Sequence, residues 1–152
     1  MRSSVRHVSG ALPGLALLLF AGPVHADDGA IRVTVQSIHA IQGAADKPGG
    51  APAAMVKKLK KVFPGYGAFK VLDEKALDLT APGKSATTKL PSEHELSLTF
   101  LGRKGRFLRL RLAIPPRIKT DVRVNDGGTF YQAGMKHEGG ILVLAVKAAT
   151  AR

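Results

Sequence analysis

Cysteine is absent from this chain of 152 residues. Its absence excludes disulfide bonds, a thiol nucleophile, cysteine-based zinc sites, iron–sulfur clusters and the acylated cysteine of a bacterial lipoprotein. Small exported domains often depend on disulfides, so this chain has to be stabilised by its hydrophobic core. A domain of this size buries roughly two-thirds of the surface that its unfolded chain exposes, which makes such a core feasible.

Aromatic and acidic residues are scarce as well. The chain has no tryptophan, two tyrosines and six phenylalanines, so a stacking platform for sugars or unpaired bases has little material. Only 11 Asp and Glu oppose 23 Lys and Arg. Glycoside hydrolysis by a pair of carboxylates therefore has few candidate residues.

The common motifs of catalysis and cofactor binding are missing too. No serine lies in a G-x-S-x-G elbow, and no glycine-rich stretch matches a phosphate-binding loop. Two clusters combine histidine with carboxylates, Glu93-His94-Glu95 and His137-Glu138, but neither has the i, i+4 spacing that places two metal ligands on one helix face. We therefore expect no catalytic residue, no metal and no cofactor.

The N-terminal segment carries an export signal. Arg2 and Arg6 precede an apolar run over 11–21, and Val24-His25-Ala26 places small residues at the −3 and −1 positions of a cleavage site. A run of about 11 apolar residues is too short to span a bilayer. We predict a signal peptide over 1–26, cleaved after Ala26, and an exported domain over 27–152 that is periplasmic or secreted. An uncleaved N-terminal anchor is the alternative.

The exported part is strongly basic. Without Arg2 and Arg6, 21 of the 23 Lys and Arg remain against 11 acidic residues, a net charge of +10. Such a charge predicts attraction to anionic partners, among them nucleic acid, lipopolysaccharide phosphates, acidic glycans and acidic proteins.

The hydrophobic pattern is mostly that of β-strands. Apolar and polar residues alternate over several segments of this part, and one later segment is continuously apolar. Strands are predicted over 31–40, 68–72, 76–79, 85–90, 95–101, 107–114, 117–124, 129–133 and 141–146, with 68–79 open to reading as one bent strand. Residues 147–152 read as a frayed tail, which leaves a core over 28–148.

One helix is predicted, over 53–63, between Pro52 and Pro64-Gly65. Its apolar side chains fall within an arc of about 120°, and its lysines take the opposite side. The arc contains Met55, Val56, Leu59, Val62 and Phe63. The sequence therefore predicts an α+β fold, mostly β: an antiparallel sheet or small sandwich of about seven strands with one amphipathic helix packed on one face.

Two turns can be placed from the pattern. A five-residue loop over 102–106 would oppose Leu98 to Leu110 and Leu96 to Leu112, because only an odd loop length keeps both apolar rows on one face. Asn125-Asp126-Gly127-Gly128 is the strongest turn signal of the chain and predicts a return into the strand over 129–133.

Positive side chains cluster at two candidate sites. Five lie on the predicted outer faces of two successive strands: Arg109, Arg111, Arg117, Lys119 and Arg123. If these strands pair, they form a cationic face that could bind an anion, or one that is solvated and partly neutralised by Glu95 or Asp121. The second set lies on the helix, Lys57, Lys58 and Lys61, where lysines also complement the helix dipole.

Two segments carry a resemblance. The run over 65–72, Gly-Tyr-Gly-Ala-Phe-Lys-Val-Leu, and the closing run over 122–146 with its Asp-Gly-Gly-Thr turn resemble small exported bacterial β-rich proteins of unassigned function. The resemblance covers about 31–148 and implies no activity. The Asp-Gly-Gly-Thr segment is also similar, locally, to a hairpin of outer-membrane secretins, and pore formation is not implied.

These observations lead to one functional expectation. We expect an exported, non-enzymatic module of the cell envelope whose cationic sheet face binds an envelope protein complex or an anionic polymer. Extracellular binding of nucleic acid is the alternative, which the scarcity of aromatic residues disfavours. An enzyme of unrecognised type is a further alternative.

Overall fold

The computed structural model describes residues 29–43 and 50–152. The predicted signal peptide, over 1–26, lies outside the described residues. The described part contains eight strands and one short helix. In chain order they are β1 (Ile31–Gln42), α1 (Ala53–Val62), β2 (Tyr66–Leu79), β3 (Ser85–Lys89), β4 (Glu95–Lys104), β5 (Phe107–Ile114), β6 (Ile118–Asn125), β7 (Thr129–His137) and β8 (Gly140–Thr150).

The strands form two antiparallel sheets of four strands each. Sheet A has the order β2-β1-β8-β7, and sheet B has the order β3-β4-β5-β6. The inner faces of the two sheets share one hydrophobic core, so the domain is a β-sandwich. The prediction of an α+β fold, mostly β, is confirmed.

Alternation along each strand builds this core. Leu96, Leu98 and Phe100 of β4 are fully buried, and so are Leu108 and Leu110 of β5. The residues between them face solvent or the outer side of sheet B. A period of two therefore places one row of each strand between the sheets and leaves the other row outside.

Helix α1 packs on the outer face of sheet A. Leu59 is fully buried there against Ile38, Phe69 and Val143. Because α1 covers one side of sheet A and sheet B covers the other, β8 is buried on both faces, as its continuous apolar run indicates. Val62 was expected in the buried arc but is 52% exposed, since it lies at one edge of an arc whose centre is Leu59.

The β4–β5 hairpin differs from its predicted register. Leu98 opposes Leu112, and Phe100 opposes Leu110, so the predicted five-residue loop is wrong. The strands run on to Lys104 and Phe107 and are joined by only two residues. An irregularity between Phe100 and Gly102 inserts one extra residue, and this bulge restores the parity that a two-residue loop alone would break.

The Asn-Asp-Gly-Gly turn does not close a hairpin. It links β6 of sheet B to β7 of sheet A, and β7 pairs with β8 instead. The turn is held against β8 by two backbone bonds, from Gly127 N–H to Ala148 C=O and from Ala148 N–H to Gly128 C=O. Strand β8 continues to Thr150 with Ala148 fully buried. The prediction of a frayed tail from residue 147 is therefore wrong.

A candidate cationic face on sheet B

The outer face of sheet B is built by the residues that alternate with its buried leucines. Arg109 and Arg111 of β5 and Lys119 and Arg123 of β6 lie on this face, as the sequence predicted. We call it the sheet B face. Lys89 and Lys104 extend it toward β3 and β4.

Arg109 and Arg123 are directly opposite each other across the β5–β6 pair. Both are exposed, and neither forms an ion pair or a side-chain hydrogen bond within residues 29–43 and 50–152. The other cross-strand neighbour of Arg109 is Gly102, which has no side chain and open space around it. The two arginines are therefore cross-strand neighbours on the outer face, and no side chain lies opposite Arg109 on its other side.

Arg111 differs from this pair because it opposes Asp121. Its guanidinium donates two hydrogen bonds to that carboxylate, Nε to Oδ1 at 2.6 Å and Nη2 to Oδ2 at 2.9 Å. The bonds from Arg111 hold the pKa of Asp121 below its ordinary value, with smaller electrostatic contributions from Arg109 and Lys119. The predicted neutralisation by Asp121 is thus confirmed for Arg111. Glu95 lies on the adjacent strand β4, outside the residues that pair with β5, and opposes Lys89 of β3.

Arg117 is not part of the strand array. It lies in the turn between β5 and β6, after the cis peptide bond of Pro115-Pro116, and its N–H donates to the C=O of Ile114 at 3.0 Å. Strand β6 begins only at Ile118. The prediction that Arg117 shares the strand face is therefore wrong, because Arg117 belongs to the turn that follows Pro115-Pro116. It is exposed at the end of the sheet.

The second predicted cation set lies on another face of the domain. Lys57, Lys58 and Lys61 are exposed on α1, as are Lys60 and the helix surface around them. Sheet A and sheet B lie between this helix surface and the sheet B face. The structure does not bring the two sets together, so they cannot contact one small anion at the same time.

Three features of the structure have no signal in the local sequence pattern. Asp126 binds Arg103 and Thr150 at one end of the sandwich. The rings of His39 and His137 meet edge to face at the other end, with centroids 5.1 Å apart. A groove lies beside α1 on sheet A. Each depends on strand pairing between distant segments, which the register reveals and local pattern does not.

The two histidine and carboxylate clusters lie at strand ends and turns. His94 Nδ1 lies 2.9 Å from the C=O of Ser92 in the β3–β4 turn, and His137 packs on His39. In the described part of the chain, no three His, Asp or Glu side chains are placed to hold a metal ion. The same residues contain no helix long and apolar enough to cross a membrane.

No protein-family model, no curated protein and no solved structure matches the chain. The resemblance to small exported bacterial proteins therefore stays a prediction.

Proposed function

We propose that the protein is an exported, non-enzymatic binding module of the cell envelope whose sheet B face binds an anionic polymer. The opposed pair Arg109 and Arg123 supports this proposal most directly. Like charges directly opposite each other on one sheet face are destabilising. A bound anionic group between the two guanidinium groups would remove that repulsion and accept hydrogen bonds from both.

The rest of the sheet B face favours a polymer over a protein partner. Protein interfaces are centred on buried aromatic and other apolar anchors. On the sheet B face a large apolar side chain, Phe107, is 37% exposed. The Cζ of Arg106 lies over its ring, 5.2 Å from the ring centroid. Hydroxyl groups continue the rows instead: Ser85 and Thr99 lie beside Arg111, and their oxygens are 2.6 Å apart.

The proposal is tested with the chain from Asp27 onward and two double variants. Arg109→Gln/Arg123→Gln removes the opposed pair, and Lys57→Gln/Lys61→Gln removes two charges from α1 as the matched control. We expect the arginine variant to bind polyphosphate about tenfold more weakly. The slope of log affinity against log salt concentration should become shallower by about the contribution of two charges. The helix variant should stay close to the parent.

Equal losses in the two variants would show that net charge alone drives binding and would overturn the assignment to the sheet B face. Single-stranded DNA of matched charge is the second probe, and tighter binding of DNA than of polyphosphate would favour the nucleic-acid alternative.

A pull-down from envelope extract then identifies the natural partner. Retention that survives protease treatment and is lost at about 0.5 M salt supports a polymer, whereas loss on protease treatment supports a protein.

A further inference from the structure

A groove of about 470 Å³ lies on the outer face of sheet A, beside the first turns of α1. Its volume is within the range of small-molecule sites, about 300–1,000 Å³. We call it the helix groove. It faces away from sheet B, so it is separate from the cationic face described above.

The floor of the helix groove includes a cross-strand row of sheet A. Ala145 of β8 lies between Tyr131 of β7 and Gln36 of β1 in one cross-strand row. Met55 and Pro52 form the wall on the side of α1. Ala145 itself is only 4% exposed, because it belongs to the cluster against which Met55 and Tyr131 pack. Met55 and Tyr131 supply the apolar surface of the groove.

The charges around the helix groove are not balanced. Lys58 of α1 and Lys147 of β8 both line it, and neither has an ion pair or side-chain hydrogen bond within the described residues. The carboxylate that lines it belongs to Glu74, and Gln36 Nε2 donates a hydrogen bond to Glu74 Oε2 at 2.5 Å. Two lysines and one glutamate therefore line the groove, and this net positive charge favours an anion.

We infer that the helix groove binds a small amphipathic organic anion. Its anionic group would bind Lys58 and Lys147, and its apolar part would lie against Met55 and Tyr131. Thr34 and Thr129, which oppose Lys147 from both neighbouring strands, supply hydroxyl donors for the same group. This site goes beyond the proposed polymer binding, because it uses other residues on another face.

Two fluorescent probes test the site: anilinonaphthalene sulfonate, which is an amphipathic anion, and its uncharged counterpart phenylnaphthylamine. The native chain from Asp27 onward should bind the sulfonate more tightly than the amine. Saturating sulfonate should raise the thermal midpoint followed by circular dichroism, because a ligand that binds the folded state stabilises it. Equal affinity for the two probes, or a lowered midpoint, would overturn the inference.

Variants locate the binding. Lys58→Gln/Lys147→Gln should weaken sulfonate binding at least about fivefold and leave phenylnaphthylamine unaffected. Thr34→Leu enlarges a side chain that lines the groove and lies outside the cluster beneath α1, so it should narrow the groove and weaken both probes. The matched control is Arg109→Gln/Arg123→Gln, which removes two charges from the sheet B face.

An equal loss of sulfonate binding in that control would overturn the site. The two proposals fail independently. The control variant should lose polyphosphate and keep the sulfonate, and the lysine variant should do the reverse.

Discussion

Asp126 joins three separate parts of the chain at one end of the sandwich. Its carboxylate accepts a hydrogen bond from Arg103 Nη1 at 3.0 Å and one from the Thr150 N–H at 2.8 Å. The Thr150 hydroxyl donates to it as well, and Arg103 donates to that hydroxyl. The bonds from Thr150, and then the one from Arg103, lower the pKa of Asp126 from 3.8 to about 2.

This cluster predicts a defined acid sensitivity. Because the pKa is lower in the folded state, the carboxylate stabilises the fold above about pH 4, and that stabilisation is lost as the pH falls from about 4 to about 2. Its side chain is 35% exposed, so after solvent screening the contribution is about 1 kcal/mol. Asp126→Asn should cost about that much in urea unfolding at pH 7. The difference from the parent should vanish near pH 2, and a difference that is independent of pH would contradict the assignment.

Gly139 of the β7–β8 turn and Gly140, the first residue of β8, are expected to differ in their tolerance of alanine. A Cβ on Gly140 would lie 2.1 Å from the C=O oxygen of Ala40, whereas one on Gly139 would meet nothing within 4 Å. Gly140→Ala must therefore push β1 and β8 apart and should cost about 3 kcal/mol. Gly139→Ala meets only the strain of its positive φ and should cost about 1 kcal/mol. Urea unfolding of both variants measures the difference, and equal costs would contradict the close approach.

At the scale of elements, the cross-strand register of β5 and β6 makes a prediction about stability. Arg123→Thr removes the like charge opposite Arg109 and introduces a residue that favours strands, so it should raise stability by about 0.5 kcal/mol. Lys119→Thr is the control, because Lys119 opposes the uncharged Ala113. Its gain should be smaller. The measurement is the urea midpoint at constant m-value, and equal gains would mean that Arg109 and Arg123 do not repel each other.

Elements with strict alternation could be predicted from the sequence, and elements set by distant pairing could not. Strand β5 begins and ends where predicted, since its leucines alternate without a break. The bulge near Leu101 lacks such a signal, because one extra residue matters only relative to the partner strand. The same reason explains the candidate site: Arg109, Arg111, Lys119 and Arg123 could be placed on one face, but the pairing of Arg111 with Asp121 required the observed register.

At the scale of the whole molecule, three layers separate the positive charges. Helix α1 lies outside sheet A, and sheet B closes the other side, so the helix lysines and the sheet B face are directed to different surroundings. A partner on one face leaves the helix groove on the other accessible. The layered arrangement thus allows a polymer and a small anion to be bound together, and the mutual independence of the two affinities is the expected result.

The excess charge of the domain should also control its stability. With a net charge of +10 over 27–152, added salt screens repulsion in the folded state, so the thermal midpoint should rise with sodium chloride up to about 0.15 M. Under the proposed function, sulfate at the same ionic strength should raise the midpoint further, because a divalent anion would bind between Arg109 and Arg123. General exclusion of sulfate from protein surfaces would stabilise every variant alike. The extra rise should therefore vanish in Arg109→Gln/Arg123→Gln and persist in Lys57→Gln/Lys61→Gln, and an equal rise in both would assign it to exclusion rather than to binding.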